Sequence, residues 1–129
     1  MTVLIVGLNP SGKWKRKNPT LDRLNRWMDE LGIRHYSFCN VISEPGAYKK
    51  SQIDYKQLCT FTEGYDRIIA LGGFVSEALD RISVDHLPMP HPSPLNRKLN
   101  CSHYEKRKIE ECRRYVEGHN KSNQQHTKE

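Results

Sequence analysis

Short apolar runs alternate along this chain with segments whose apolar residues recur at helical spacing. Strands are predicted at residues 2–7, 36–42, 67–71 and 86–89. The first and third runs are continuous and rich in β-branched residues and leucine, which is typical of strands buried on both faces of a parallel sheet. The fourth contains Pro88, which cannot donate a ladder hydrogen bond, so we expect that strand to be short or at an edge.

Helices are predicted in the segments between these runs. The first begins at Pro19 and Thr20 and ends at Gly32. Its apolar side chains recur at helical spacing and are Leu21, Leu24, Trp27 or Met28, and Leu31. The second helix is predicted at residues 52–61 with Ser51 as its N-cap.

Two more helices are predicted in the second half of the chain. One follows Gly72-Gly73 directly and spans residues 74–82. The other starts at residues 102–105, whose sequence SHYE fits a capping box, and runs to about residue 117. The last twelve residues, 118–129, carry no aliphatic or aromatic side chain, and we expect them to form a disordered polar tail.

This alternation predicts an α/β fold, a three-layer α-β-α sandwich with a short, mostly parallel central sheet of about four strands. A single domain is expected to cover residues 1–117, since 129 residues are too few for two independent cores. Ligands of such sheets bind at the carboxyl ends of the strands. The segments after Gly7, Phe38, Leu71 and Met89 should therefore converge on one crevice.

The composition predicts a small hydrophobic core and a positive charge that attracts anions. Hydrophobic residues make up 36% of the chain, and its formal net charge is +6. Such a charge favours association with polyphosphates, although charge alone is equally compatible with a merely soluble basic protein. The apolar run at the N-terminus is too short for a membrane span or a signal peptide, so a cytoplasmic, nucleoid-associated protein is expected rather than a secreted one.

The cysteine pattern points away from a metal centre. The chain has four cysteines without a C-x-x-C pair or the spacing of a zinc site or an iron–sulfur cluster: Cys39, Cys59, Cys101 and Cys112. We therefore expect structural thiols in a reducing compartment, and neither a metal nor another cofactor.

Two motifs lie at the expected crevice, GLNPS at residues 7–11 and HPSPLN at residues 91–96. Their order and their positions after the first and last strands resemble the two active-site motifs of the uracil-DNA glycosylase superfamily. Between them, FCNV at residues 38–41 is similar to the family's strand that ends in a base-reading Asn, and IALG at residues 69–72 is similar to the β-α element that follows. The resemblance covers residues 3–117 and assigns no branch of the superfamily.

The resemblance implies a monofunctional, metal-independent hydrolase that cleaves the N-glycosidic bond of uracil or a 5-substituted uracil in DNA and leaves an abasic site. His91 matches the catalytic residue that donates to O2 of the departing base. Asn9 occupies the place of the catalytic Asp of some branches, and its amide can position water but is no strong base. Asn40 can pair with N3–H and O4 of uracil and reject cytosine.

The resemblance also implies further contacts. The base pocket would be formed, besides Asn40, by Gly7, Leu8, Pro10, Ser11 and Trp14. DNA contacts are expected from Lys13, Lys15, Arg16, Lys17, Ser93, Pro94, Leu95, Asn96, Arg97 and Lys98. Trp14 would either stack on a base or anchor its loop, and Leu95 is either the wedge that fills the gap left by the flipped base or a plain loop leucine.

Alternatives stay open at this point. Ser11 replaces the Tyr that excludes 5-substituents in the uracil-specific branch, so the pocket is expected to admit them. Asn9 and His91 could instead form turns, Asn40 could hydrogen-bond the loop backbone, and the basic loop could be simply solvated.

The alternative function is a module with this fold that binds DNA or modifies a pyrimidine without excising the base. A nucleotide-binding α/β domain is the third class, but the chain has no G-x-G-x-x-G motif. In each DNA-binding case we expect a monomer on single-stranded or duplex DNA.

Overall fold

The computed structural model describes residues 1–9, 18–45, 48–93 and 96–118. Within them one parallel sheet is formed by strands β1 (Val3–Gly7), β2 (Ser37–Asn40), β3 (Arg67–Leu71) and β4 (Leu87–Met89). Their order is β2-β1-β3-β4, so β2 and β4 are the edge strands. The predicted central sheet is confirmed, with β2 shorter than predicted and Pro88 in an edge strand as expected.

The helices are found close to their predicted positions. They are α1 (Pro19–Leu31), α2 (Tyr55–Thr62), α3 (Gly73–Arg81) and α4 (Ser102–Val116). Short 3-10 turns at Lys50–Gln52 and Arg97–Asn100 precede α2 and α4. None of the helices in the described part of the chain is long and apolar enough to span a membrane.

Two apolar cores on opposite faces of the sheet give the molecule three layers. Val3 and Ile5 pack on one face with the buried residues of α1 and α4, whereas Leu4 and Val6 pack on the other with those of α2 and α3. Successive side chains of a strand point to opposite faces, so a continuous apolar strand such as β1 contributes to both cores. The predicted α-β-α sandwich is thereby confirmed.

Helix α1 has the boundaries that its sequence predicts. The Asn18 side chain caps it by accepting from the N–H of Leu21 at 3.1 Å, and Pro19 lies in the first turn, where its missing N–H costs nothing. Gly32 ends the helix with φ of 73°, a left-handed conformation that favours glycine. Trp27 and Met28 are both buried, while Leu21 is exposed and does not belong to the buried face.

The predicted N-cap of the second helix is wrong. Ser51 lies in the 3-10 turn, and α2 begins only at Tyr55. Asp54 caps it instead, with its carboxylate accepting from the N–H of Gln57 at 3.0 Å. An aspartate serves as well as a serine in this position.

The predicted capping box of α4 is also wrong. The residue before the helix is Cys101, which makes no side-chain cap, and the Glu105 carboxylate does not turn back to the helix start. Glu105 accepts from the indole N–H of Trp27 at 2.8 Å and from Arg26 at 3.2 Å. A buried indole N–H needs a hydrogen-bond acceptor. The Glu105 carboxylate therefore accepts from Trp27 rather than from the backbone at the start of α4. Glu105 consequently joins α4 to α1.

The carboxyl end of α4 is attached to the sheet. The Arg67 guanidinium donates to the carbonyl oxygen of Tyr115 at 2.9 Å, and the Tyr115 hydroxyl accepts from the N–H of Ile68 at 3.0 Å. The Arg67 bond satisfies a carbonyl at the end of the helix, and the Tyr115 hydroxyl satisfies a backbone N–H of β3. Of the predicted tail, residues 119–129 lie outside the described residues.

Candidate functional site

Four chain segments meet at the carboxyl edge of the sheet, as the parallel topology requires. Backbone hydrogen bonds continue past the strands there. Val41 donates to Gly7 at 2.9 Å, Ile42 donates to Leu8 at 3.0 Å, and Gly72 donates to Met89 at 2.8 Å. The segments that carry the candidate residues are therefore tied to one another at this edge.

Asn40 is the last residue of β2 and is paired in register with Gly7 of β1. Its Oδ1 would lie 2.9 Å from a Cβ added at Gly7, which is closer than real Cβ contacts allow. Position 7 consequently has to be glycine for the Asn40 amide to keep this place. Among the described residues no side-chain hydrogen bond of Asn40 is found, so its amide can accept from and donate to a ligand.

Phe38 shares this location, although no role was predicted for it. Its side chain points to the same face as that of Asn40 because the two residues are two positions apart in one strand. Its Cζ would lie 2.8 Å from the same added Cβ at Gly7, so the ring leans along the sheet toward the carboxyl edge. The ring is nevertheless 49% exposed. The alternation of Phe38 with Asn40 was the signal that could have revealed it.

His91 follows the edge strand β4 but lies over the end of β3. A Cβ added at Gly72 would lie 3.5 Å from the Cβ and 3.8 Å from the Cδ2 of His91. Gly72 has φ of 97°, where a side chain would be strained, and it is the N-cap of α3. The imidazole is therefore next to the positive end of a helix, which disfavours an imidazolium.

The two outer strands thus direct their polar side chains inward. Asn40 lies against Gly7 of β1, and His91 lies against Gly72, which follows β3. β1 and β3 are neighbours in the sheet, about 4.8 Å apart, so Gly7 at the end of β1 and Gly72 directly after β3 lie near each other. The glycines leave the space that the amide and the imidazole occupy, and the candidate site lies between them.

The hydrogen bonding of His91 determines which nitrogen carries its proton. The backbone N–H of Ser93 donates to Nδ1 at 3.2 Å, so Nδ1 is the acceptor and the proton of the neutral ring is on Nε2. Burial lowers the pKa of His91 below its ordinary value of 6.5. The ring is therefore neutral at neutral pH, and among the described residues no partner takes the Nε2–H.

The loop that carries His91 is held by its own hydrogen bonds. The Asn96 side chain donates to the carbonyl of His91 at 3.1 Å and accepts from the N–H of Lys98 at 3.2 Å, and Pro92 is buried. Asn96 therefore maintains the shape of the loop, and its predicted contact with DNA stays a prediction. The bond from Asn96 to the His91 carbonyl helps to fix the backbone that carries the imidazole.

The structure brings five predicted site residues to this edge, Gly7, Leu8, Asn9, Asn40 and His91, with Ser93 two residues on. Leu8 is half-buried and packs partly against the core formed with α2 and α3. The exposed 3-10 turn after the loop contains Arg97 and Lys98. Nine predicted residues lie outside the described residues: Pro10, Ser11, Lys13, Trp14, Lys15, Arg16, Lys17, Pro94 and Leu95.

Two of the cysteines, Cys39 and Cys112, are poor nucleophiles. All four are free, and burial raises the pKa of Cys39 to about 11 and that of Cys112 to about 12. Both stay protonated at neutral pH, and a thiol is a much weaker nucleophile than a thiolate. Within residues 1–9, 18–45, 48–93 and 96–118, no group of three or more His, Cys, Asp or Glu residues could hold a metal ion.

Comparisons of the chain with family models, with curated proteins and with solved structures found no match. The class of protein is accordingly defined by the fold and by the arrangement at its edge. It is a parallel α-β-α sandwich that carries an open amide and a neutral imidazole at the carboxyl ends of its strands.

Proposed function

We propose that this protein is a DNA glycosylase that hydrolyses the N-glycosidic bond of uracil or a 5-substituted uracil in DNA and leaves an abasic site. The observation that carries the proposal is the state of His91, whose Nδ1 accepts from the N–H of Ser93 and whose Nε2–H has no partner among the described residues. A neutral N–H donor at the carboxyl edge of the sheet can stabilise a leaving group that departs as an anion.

In the proposed reaction the bond between C1′ of the sugar and N1 of the base breaks, and both electrons go to the base. Negative charge then develops on O2, where the Nε2–H of His91 would donate a hydrogen bond. Water adds to C1′ and releases a proton to solvent. Asn9, two residues after the end of β1, would orient that water by hydrogen bonding without removing its proton.

Recognition of the base would fall to Asn40. Its Oδ1 would accept from N3–H of uracil, and its Nδ2 would donate to O4. Cytosine presents the opposite pattern at these two positions and would leave both polar ends of the amide unsatisfied. The rigid placement of the amide at the end of β2, against Gly7, supports this role because it fixes the direction of both bonds.

DNA affinity would come from the positive charge of the chain. The net charge of +6 attracts the phosphate backbone independently of sequence, and the lysines and arginine of residues 13–17 lie directly after the GLNP segment. Such contacts hold the strand while the base is turned out of its stack. Affinity is therefore expected to fall steeply with rising salt.

The proposal is tested with labelled oligonucleotides that contain uracil, 5-hydroxymethyluracil or thymine, single-stranded and opposite A or G. Incubation with the protein in excess is followed by hot alkali, which cleaves the strand at abasic sites. We expect cleavage with at least one uracil-type base, and its loss in His91→Ala.

Absence of cleavage on every substrate would overturn the proposal. Tight binding of a modified pyrimidine without an abasic product would instead support a module that binds or modifies the base. The neutral Asn9, which cannot act as a strong general base, is the observation that favours this second function.

A further inference from the structure

Four exposed cations lie between the loop that carries His91 and the second turn of α4. Arg97 and Lys98 belong to the 3-10 turn, and Lys106 and Arg107 belong to α4. The 3-10 turn leads directly into α4 and packs against it, so these side chains share one region of the molecule. We call the four side chains the cationic surface.

No carboxylate neutralises the cationic surface. Glu105 is the single acidic residue of residues 97–107, and its carboxylate is engaged by Trp27 and Arg26 of α1. Within the described part of the chain none of the four cations forms an ion pair, whereas three cations farther along α4 pair with carboxylates of that helix. The charge of the cationic surface is therefore available to an external anion.

Arg107 is held in place without losing its charge. Its guanidinium carbon lies 5.7 Å from the centroid of the Tyr104 ring, and Tyr104 is partly buried against the core. A cation–π contact of this kind orients the guanidinium and leaves its N–H groups free to donate. The planar fork of an arginine matches two oxygens of a phosphate group. Arg107 is thus partly ordered before an anion binds.

The cationic surface adjoins the candidate site through Asn96. The Asn96 side chain donates to the carbonyl oxygen of His91 at 3.1 Å and accepts from the backbone N–H of Lys98 at 3.2 Å. The 3-10 turn is consequently tied to the loop that positions the imidazole. A chain of anionic groups that crosses the cationic surface would pass next to His91.

The absence of apolar side chains from this surface favours a nucleic acid over a membrane or a protein partner. No large exposed apolar side chain of the described residues lies in the 3-10 turn or in α4; those found are Met1, Leu21, Phe38, Tyr48 and Phe61. A helix that lies on a lipid bilayer buries an apolar face, and protein interfaces are centred on apolar or aromatic anchors. Exposed cations without such anchors are typical of contacts with a phosphate backbone.

We propose that the cationic surface binds phosphate groups of the DNA strand whose base enters the candidate site, so that this strand runs from His91 over the 3-10 turn and the first two turns of α4. The inference rests on the proposed function. The motif resemblance predicts DNA contacts only for Arg97 and Lys98, and the fold adds Lys106 and Arg107. Phosphate contacts of this kind fix the position of a strand and carry no sequence information.

The test measures the affinity of the full chain for labelled oligodeoxyadenylate, which contains no pyrimidine, by fluorescence anisotropy at a series of salt concentrations. The double variant Lys106→Gln with Arg107→Gln should bind more weakly at low salt. The slope of log affinity against log salt concentration should become shallower by about 0.7 for each cation removed.

The matched control is the double variant Lys56→Gln with Arg81→Gln. It removes the same charge from α2 and α3, on the opposite face of the sheet, and Arg81 lies 5.6 Å from the ring centroid of Tyr55 much as Arg107 lies over Tyr104. This variant should keep the slope of the unchanged protein.

Equal slopes for the two double variants would mean that only net charge matters and would overturn the inference. An unchanged slope in Lys106→Gln with Arg107→Gln would overturn it as well. Loss of binding to phosphatidylserine vesicles in that variant, with DNA affinity unchanged, would assign the surface to a lipid bilayer instead. Because oligodeoxyadenylate offers no base to excise, a slope that depends on Lys106 and Arg107, together with no excision on any substrate, would reject only the proposed glycosylase activity.

Discussion

Two histidines at the two ends of β4 have the same side chain and opposite environments. His86 precedes the strand, and its side chain is only 5% exposed. Its Nδ1 is 2.8 Å from the carbonyl oxygen of Val84, and its Nε2 is 2.8 Å from the Ser76 hydroxyl oxygen. The carbonyl can only accept, so Nδ1 donates to it. Both nitrogens are thus used inside the protein.

His91 follows the same strand, and its Nδ1 has the opposite role. Its Nδ1 accepts from a backbone N–H, which leaves the proton on Nε2, and this nitrogen has no partner among the described residues. The number of ring nitrogens engaged by the protein thus separates a histidine that holds the fold from one that is available to a ligand.

The largest expected effect is on catalysis. His91→Ala removes the proposed donor to the departing base, and the loss of one such donor typically lowers a rate by about 100-fold to 1,000-fold. Single-turnover excision on the best oligonucleotide measures it. DNA affinity should stay the same, because the contacts with phosphate are made elsewhere.

His86→Ala provides the matched control for that experiment. It removes an imidazole at the other end of β4, and it should leave the excision rate of the folded protein close to that of the unchanged chain. A comparable loss of rate in both variants would show that His91 acts only through the fold.

The next largest effect on the excision rate is expected at Gly7, against which the Asn40 amide lies. Gly7→Ala would push against the Phe38 ring and the Asn40 amide, which lie 2.8 and 2.9 Å from the added Cβ. We expect the excision rate on uracil to fall about 10-fold to 100-fold, the magnitude of a lost bidentate contact with a base. Gly73→Ala is the matched control, because nothing lies within 4 Å of its added Cβ. Equal rates for the two variants would contradict the proposed role of Asn40.

The strands and helices could be predicted because local signals and tertiary packing agree there. The continuous apolar run of β1 forms part of both cores, and Asn18 and Gly32 bound α1 by purely local hydrogen bonds. Glu105 shows the opposite case. Its spacing from Ser102 fits a capping box, but the buried indole of Trp27, far away in sequence, takes the carboxylate. A local pattern of a few residues contains no information about such a contact with a residue distant in sequence.

The candidate site could be predicted only as a set of strand ends. Parallel topology alone brings Asn40 and His91 to one edge. That both lean inward over Gly7 and Gly72 depends on backbone conformation and contacts that no motif encodes. The exposure of Phe38 depends on β2 being an edge strand, and strand order follows from the whole fold.

A smaller effect is expected on stability. His86→Ala leaves the Ser76 hydroxyl and the Val84 carbonyl without their partners, and a lost buried hydrogen bond of this kind costs about 1–3 kcal/mol. The free energy of unfolding from urea denaturation measures it. Ser76→Ala removes one of the two contacts and should cost less. A larger loss of stability in His91→Ala than in His86→Ala would reverse the comparison between the two histidines.

The smallest effect is the pH dependence that His91 adds to stability. Burial lowers its pKa in the folded protein, so the unfolded chain takes up the proton more readily. The contribution of the neutral ring is complete above the ordinary value of 6.5 and is lost as the pH falls through the folded pKa. Hydrogen bonds from Thr2 lower the pKa of Asp66 below its ordinary value of 3.8, so protonation of that carboxylate affects stability only at more acidic pH. Between neutral pH and the acidic range in which Asp66 is protonated, the free energy of unfolding from urea denaturation should fall more steeply in the unchanged protein than in His91→Gln. Parallel plots of this free energy against pH would mean that His91 is not held neutral.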